Sequence, residues 1–385
     1  MRPRPHTRRL VAKPVLLLLT LAATLVALEV GLRLFWDGFY LKLEKAYATY
    51  HPTRGWKNKP GAYVPYGEPE FATMVRHDSW GFRSREHPLE RVPGKLRIFA
   101  LGDSFTYGIG VENDETFCAR LEQLDSRLEV LNGGVNGYGT SQELLQLKEE
   151  GLAFHPDLVL IGFFWNDVGN SYRRPKPAFR LEGGVLRYPP PPDPNEVPPP
   201  VRARGGYRKV MRHSYAYRFL SDRLKLVRYR VKIALGIPVE ASDMLGTHER
   251  EAAWELELAL LREIDRLARG AGARTLLVLI PDQVQVEPGI WPAGLRREDY
   301  EVQERMQAFA AAQGIPVIDL LPALRAERGR SRVPLYYRKD RHLNARGHEV
   351  AARTILAGLR DEGFLAGLHA HGRALPTREG GPLRP

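Results

Sequence analysis

Cysteine is almost missing from this 385-residue chain; Cys118 is the only one. A single thiol excludes an internal disulfide framework and any cysteine-based metal site. Cys118 falls in a helical pattern with Phe117, Leu121 and Leu124, which reads as a small core residue. A net excess of basic charge is missing from most of the chain, although the formal net charge is +12. Residues 2–13 hold five Lys/Arg and no acid, and residues 202–232 hold eleven Lys/Arg and one acid. Those segments sum to +5 and +10, so the remainder carries about −3. A positive excess confined to two short stretches argues against nucleic acid as a partner. Long apolar runs are scarce as well. The main uncharged one is Val15–Leu28, and no convincing small-x-small cleavage site follows it.

What is present is enough for one main domain with decorations, since 43% of residues are hydrophobic and 26% charged. Residues 1–14 are basic, and a basic flank before an apolar core places the N-terminus in the cytoplasm and sends the rest outward. Fourteen uncharged residues fall short of the roughly 20 that a span needs. If Arg33 snorkels to the interface, residues 15–36 can cross, and an uncleaved signal anchor is favoured over a cleaved signal. The membrane is then a partner through this helix. Residues 37–95, rich in Gly, Pro and aromatics, read as a stalk and a loop-rich wrap. Residues 366–385 read as a disordered tail.

From Leu96 onward strands alternate with helices. Strands are expected at Leu96–Leu101, Leu128–Asn132, Leu158–Phe164, Thr275–Ile280 and Ile315–Asp319. Helices are expected at Thr116–Leu124, Ser141–Glu150, Glu249–Arg269, Asp299–Gln313 and Ala345–Arg360. Alternation of this kind argues for an α/β fold with a doubly wound parallel sheet over residues 96–365. Residues 168–245 interrupt it as an insertion. Its first part, around Pro189–Pro200, cannot pair in a sheet. Its second, Tyr207–Leu235, is a basic helical segment, either solvated or facing anionic lipid or polysaccharide.

Three expected strands end in polar residues. The first leads to Gly102-Asp103-Ser104, the second to Asn132-Gly-Gly-Val-Asn-Gly137, and the third to Asn166-Asp167. Carboxyl ends of neighbouring parallel strands share one sheet edge, where ligands bind. Asp340-Arg341-His342 stands directly before the last helix. A serine hydroxyl needs a base to become a nucleophile, and His342 is a base near neutral pH. A carboxylate must hold that histidine in one tautomer, and Asp340 is the local candidate. Negative charge on a substrate carbonyl oxygen needs preorganised donors, such as an N–H beside a glycine or an asparagine amide. Each residue also has an ordinary reading: Gly137 as a turn glycine, Asn166 as a helix N-cap, and Asp340 and His342 as loop residues before an N-cap at Asn344.

These blocks together resemble the SGNH/GDSL hydrolase superfamily, in its bacterial membrane-anchored branch, over about Gly55 to Leu365. The resemblance implies a flavodoxin-like sheet and a Ser104–His342–Asp340 triad. It also implies an oxyanion hole made of the Ser104 N–H, the Gly137 N–H and the Asn166 side chain. Two departures stand out. Phe105 replaces the usual leucine, and the last block reads Asp-x-His rather than the commoner Asp-x-x-His. The shorter spacing is similar to that of relatives that move acetyl groups onto extracellular polysaccharides. The other serine-hydrolase fold carries a Gly-x-Ser-x-Gly elbow, and here the fifth position is Thr106. The expected activity is that of an extracytoplasmic serine esterase acting on oxygen esters, with no cofactor and no metal. Its partner is an ester-bearing small molecule or an acylated glycan. Two alternatives remain: an O-acyltransferase acting on envelope polysaccharide, and a non-catalytic glycan-binding protein of the same fold.

Overall fold

The computed structural model describes residues 5–35, 47–68, 70–173, 178–191, scattered positions from 214 to 231, 247–287 and 301–366. Most of the Pro-rich and basic parts of the insertion, and all but the first residue of the expected tail, lie outside the described residues. Helix α1 (Pro5–Phe35) contains a 22-residue stretch, Lys13–Leu34, with mean hydropathy 2.4. It is long and apolar enough to cross a membrane, as a signal sequence also is.

Two antiparallel hairpins follow, β1 (Ala48–His51) with β2 (Gly55–Asn58), and β3 (Tyr63–Glu68) with β4 (Phe71–Arg76). The first part of the wrap therefore holds two short hairpins where loops were expected, whereas residues 77–95 are irregular. Phe71–Arg76 alternates in burial, but its residues, Phe-Ala-Thr-Met-Val-Arg, do not alternate between apolar and polar, so the sequence does not show the period of two.

The main body alternates as the sequence pattern predicts. In chain order come β5 (Leu96–Gly102), α2 (Ser104–Tyr107), α3 (Phe117–Leu124), β6 (Leu128–Asn132), α4 (Thr140–Glu149), β7 (Leu158–Phe163) and α5 (Asn166–Arg173). Then come the hairpin β8 (Arg180–Glu182) and β9 (Val185–Arg187), α6 (Thr247–Gly270), β10 (Arg274–Leu279), α7 (Gln283–Val286) and α8 (Glu301–Gln313). The chain closes with β11 (Val317–Asp319), α9 (Leu321–Ser331) and α10 (Ala345–Asp361). Helix α5 and the β8–β9 hairpin occupy the front of the stretch read as an insertion. Helix α9 escaped the sequence pattern because only Leu321 and Leu324 are buried on it.

The five-stranded sheet has the order β6-β5-β7-β10-β11, with every neighbour parallel. Numbered by chain order this is 2-1-3-4-5, the flavodoxin-like arrangement, and its switch point falls between β5 and β7. All residues of β5, β6 and β7 are buried, because helices cover both faces and leave no side for water. Ile98 and Ala100 face α3, α9 and α10, whereas Phe99 and Leu101 face α4, α6 and α8. Cys118 belongs to the first of these clusters.

The sheet's carboxyl edge is shaped by small residues. Gly102 and Gly162 are paired across β5 and β7, and a Cβ on either would collide with the Thr106 side chain. Gly134, on the loop after β6, lies so close that a Cβ there would meet the backbone of Thr106 and Tyr107. Backbone cannot step aside as a side-chain tip can. Gly134→Ala is therefore expected to lose about 1–3 kcal/mol in chemical denaturation. Gly169→Ala, inside α5 where a Cβ meets nothing within 4 Å, should instead hold or gain up to about 1 kcal/mol.

Candidate active site

Ser104 is the first residue of α2, directly beyond β5. The residue before it, Asp103, caps that helix by accepting the Phe105 N–H at 2.8 Å. Gly108 ends the helix in a left-handed conformation, φ 85. The turn is pinned from the wrap by the buried Arg83, whose guanidinium donates to the carbonyls of Tyr107, Gly108 and Val111.

The residues just before α10 come to the same place. His342 Nε2 is 2.8 Å from Ser104 Oγ, and His342 Nδ1 is 2.6 Å from Asp340 Oδ1. A carboxylate accepts only, so Nδ1 carries the ring proton and Nε2 accepts from the serine hydroxyl. The Phe105 ring lies 4.7 Å from the His342 ring and 4.1 Å from that of Phe164. The departure at position 105 therefore forms an aromatic bed beneath the imidazole. Glu70, at the β3–β4 connection, accepts the N–H groups of Lys339 and Asp340 at 2.6 and 2.9 Å. The residue spacing alone carries no sign of Glu70.

Asn166 opens α5 beyond β7, and its amide donates to Asp103 Oδ2 at 3.1 Å. Asp103 Oδ2 also lies 3.4 Å from Ser104 Oγ. Asp103 thus joins the two strand ends of the switch point, a role that turn chemistry in the sequence did not reveal. Gly137 sits on the loop after β6 in a left-handed conformation, φ 81. That loop is held to the sheet edge by Val135, whose N–H donates to Gly102 O at 3.0 Å. The structure brings Ser104, His342 and Asp340 into one hydrogen-bonded series, holds Asn166 beside it through Asp103, and sets Gly137 on the adjoining loop.

Behind this edge lie four buried carboxyl groups: Asp103, Glu143, Asp167 and Glu257. Burial pushes all four upward from the ordinary carboxyl range, and mutual repulsion adds to this at Glu143 and Asp167. Glu257 is pushed up to about 7 by burial, against hydrogen bonds from Thr140 and Ser171 that favour its ionised form. Among the described residues, no cluster of three or more His, Cys, Asp and Glu side chains is arranged to hold a metal ion.

A serine, a histidine and a carboxylate in hydrogen-bonded series recur on unrelated folds that cleave acyl bonds, which points to the class of acylhydrolases. The sequence profile of the GDSL-like lipase/acylhydrolase family matches residues 100–350, and the chain belongs to that family. Solved structures similar to it include an acetyl xylan esterase, 12% identical, with 69% of this chain and 100% of that one covered and a TM-score of 0.40. A member of the lipolytic G-D-S-L family from Veillonella parvula is 15% identical, with 68% and 97% covered and a TM-score of 0.39. A GDSL-like lipase from Bacteroides thetaiotaomicron is 13% identical, with 69% and 88% covered and a TM-score of 0.35. No protein of curated function matches the chain.

The buried acids have a pH consequence. A carboxyl raised in the folded state favours folding while protonated; that advantage is complete below its unfolded value and is lost as pH rises through the folded one. For Glu257 the window runs from 4.5 to about 7, worth on the order of 3 kcal/mol at 1.36 kcal/mol per unit. His51 and His77, each lowered to about 4 by burial, slope the opposite way, so the wild-type curve alone is not diagnostic. Glu257→Gln should match wild type near pH 4.5 and melt at a higher temperature at pH 8. Equal melting temperatures at both pH values would show that Glu257 does not titrate in this range.

Proposed function

We propose that the chain is a serine esterase that acts on oxygen esters through an acyl-enzyme on Ser104. The observation that carries this reading is the unbroken series Asp340–His342–Ser104, with contacts of 2.6 and 2.8 Å. His342 Nε2 takes the proton as Ser104 Oγ attacks the ester carbonyl carbon. The carbonyl oxygen becomes an oxyanion, for which the Ser104 N–H, the Gly137 N–H and the Asn166 amide are the assigned donors. The imidazolium returns its proton to the departing alkoxide, the alcohol leaves, and the acyl group stays on Ser104. A second acceptor, activated by the same histidine, then releases it. Asp340 keeps Nδ1 protonated throughout and stabilises the imidazolium.

Water as the second acceptor makes the protein an esterase. A sugar hydroxyl makes it an O-acyltransferase, a reading favoured by the Asp-x-His spacing. The extracytoplasmic location follows from α1 read as an uncleaved anchor with its basic end in the cytoplasm.

Ser104→Ala should abolish aryl-ester turnover and fluorophosphonate labelling while leaving the melting temperature near that of wild type. Asn166→Ala should lower kcat by roughly 10²–10³ with a smaller change in KM, because the amide acts on charge present only in the transition state. Undiminished labelling of Ser104→Ala would overturn the assignment. Acylated sugar formed when acceptors are added would decide for transfer.

Membrane topology has its own check. Reporter fusions after residue 40 should be active only outside the cytoplasm, and the protein should stay in membranes through a high-salt wash. Release of a form lacking the first ~30 residues would mean a cleaved signal.

A further inference from the structure

Between Asp340 and His342 stands Arg341, with φ 74. A non-glycine residue in that region costs about 1–2 kcal/mol, because its Cβ crowds the following carbonyl. Such a residue persists only where its surroundings hold it. Here it sits in a tight loop: the Arg341 N–H donates to Tyr337 O at 3.0 Å, and the Tyr337 N–H donates to His342 O at 2.9 Å. The loop brings the carboxylate and the imidazole together across a spacing of two.

The Arg341 side chain ends on Asp282, Nη2 to Oδ2 at 2.5 Å. Asp282 stands just beyond β10, on the same carboxyl edge as Ser104 and Asn166. The same Oδ2 accepts the indole N–H of Trp165 at 3.2 Å, and Trp165 directly precedes Asn166. Asp282 Oδ1 caps α7 through the Val284 N–H at 2.9 Å. Its two neighbours in sequence hold the same loop: Tyr336 donates to Pro281 O at 2.7 Å, and Gln283 donates to Tyr337 O at 3.2 Å. Asp282 is only 7% exposed, so its ion pair is screened less than a surface pair.

We propose that Asp282 is a positioning residue for the reaction. Through Arg341 it holds the left-handed turn that aligns Asp340 with His342. Through Trp165 it fixes that turn relative to Asn166. The inference rests on the reading of Ser104, His342 and Asp340 given above.

The test uses the full-length chain. Asp282→Asn keeps an oxygen for the α7 cap but turns an amide, itself a donor, toward two donors. Its kcat for a small aryl ester should fall about 10- to 100-fold, the cost of a reacting group displaced by about an ångström, with KM changed less than about twofold. The rate of fluorophosphonate labelling should fall in parallel. Arg341→Leu and Arg341→Gly make the test independent of the α7 cap. Both lose the ion pair, but only leucine must hold the left-handed turn against its own Cβ. The glycine variant should therefore keep about tenfold more kcat than the leucine variant. A kcat for Asp282→Asn within about twofold of wild type, or equal activity of the two Arg341 variants, overturns the inference. A wild-type protein that neither turns over esters nor labels would overturn the reading of Ser104 itself, before any variant is made.

Discussion

A carboxyl group with no exposed surface, Asp103, holds together the two strand ends on which the site is built. One oxygen caps the helix that begins at Ser104, and the other takes the Asn166 amide. A switch point leaves a crevice between two strand ends because their connections depart in opposite directions. Something must bridge that divergence, and here the bridge is a short acid. It is also the member of the buried quartet with the most donors. The Phe105 N–H, the Asn166 amide, the Ser104 hydroxyl and the nearby His342 all favour its ionised form. Burial, the largest influence on it, still pushes its carboxyl upward, as it does the other three.

The second support comes from outside the sheet. The wrap supplies Arg83 to the turn after α2 and Glu70 to the loop that carries Asp340. It also supplies the buried Arg54, paired with Glu149 and Glu150 at the end of α4. A buried cation deprived of its partners is costly. Each of these residues thus commits the wrap to one seating on the domain. Both halves of the site are therefore braced by a segment that contributes no reacting atom.

The strands and most of the long helices were legible because their physics is local. A strand buried on both faces reads as a near-continuous apolar run, as Leu158–Phe163 does and as Leu96–Leu101 does apart from Arg97, whose charge is met by Glu129 on the neighbouring strand. Helix α10 shows its stripe at Ala351, Ala352, Ile355, Leu356 and Leu359. Ser104 and Asn166 were legible as polar residues just beyond expected strands, and His342 as a base placed directly before the last helix, although Asn166 and His342 also had an ordinary reading as a cap or loop residue. Asp103, Glu70 and Asp282 were not, since the partner of a carboxylate is settled by tertiary structure. The short spacing at Asp340 also read ambiguously, because nothing in a sequence announces that an arginine will adopt a left-handed turn. The hairpins of the wrap were lost because apolar and polar residues do not alternate along most of their strands.

Ser104 and His342 are 238 residues apart. At synthesis rates of about 5–20 residues per second, the serine leaves the ribosome roughly 12 to 48 seconds before the histidine. Throughout that interval His342, the base assigned to it in the proposed function, has not been made. The contact between Ser104 and His342 forms only once the segment carrying His342 has been made. On the esterase reading proposed above, a nascent chain would therefore be inert toward the esters around it until that contact forms.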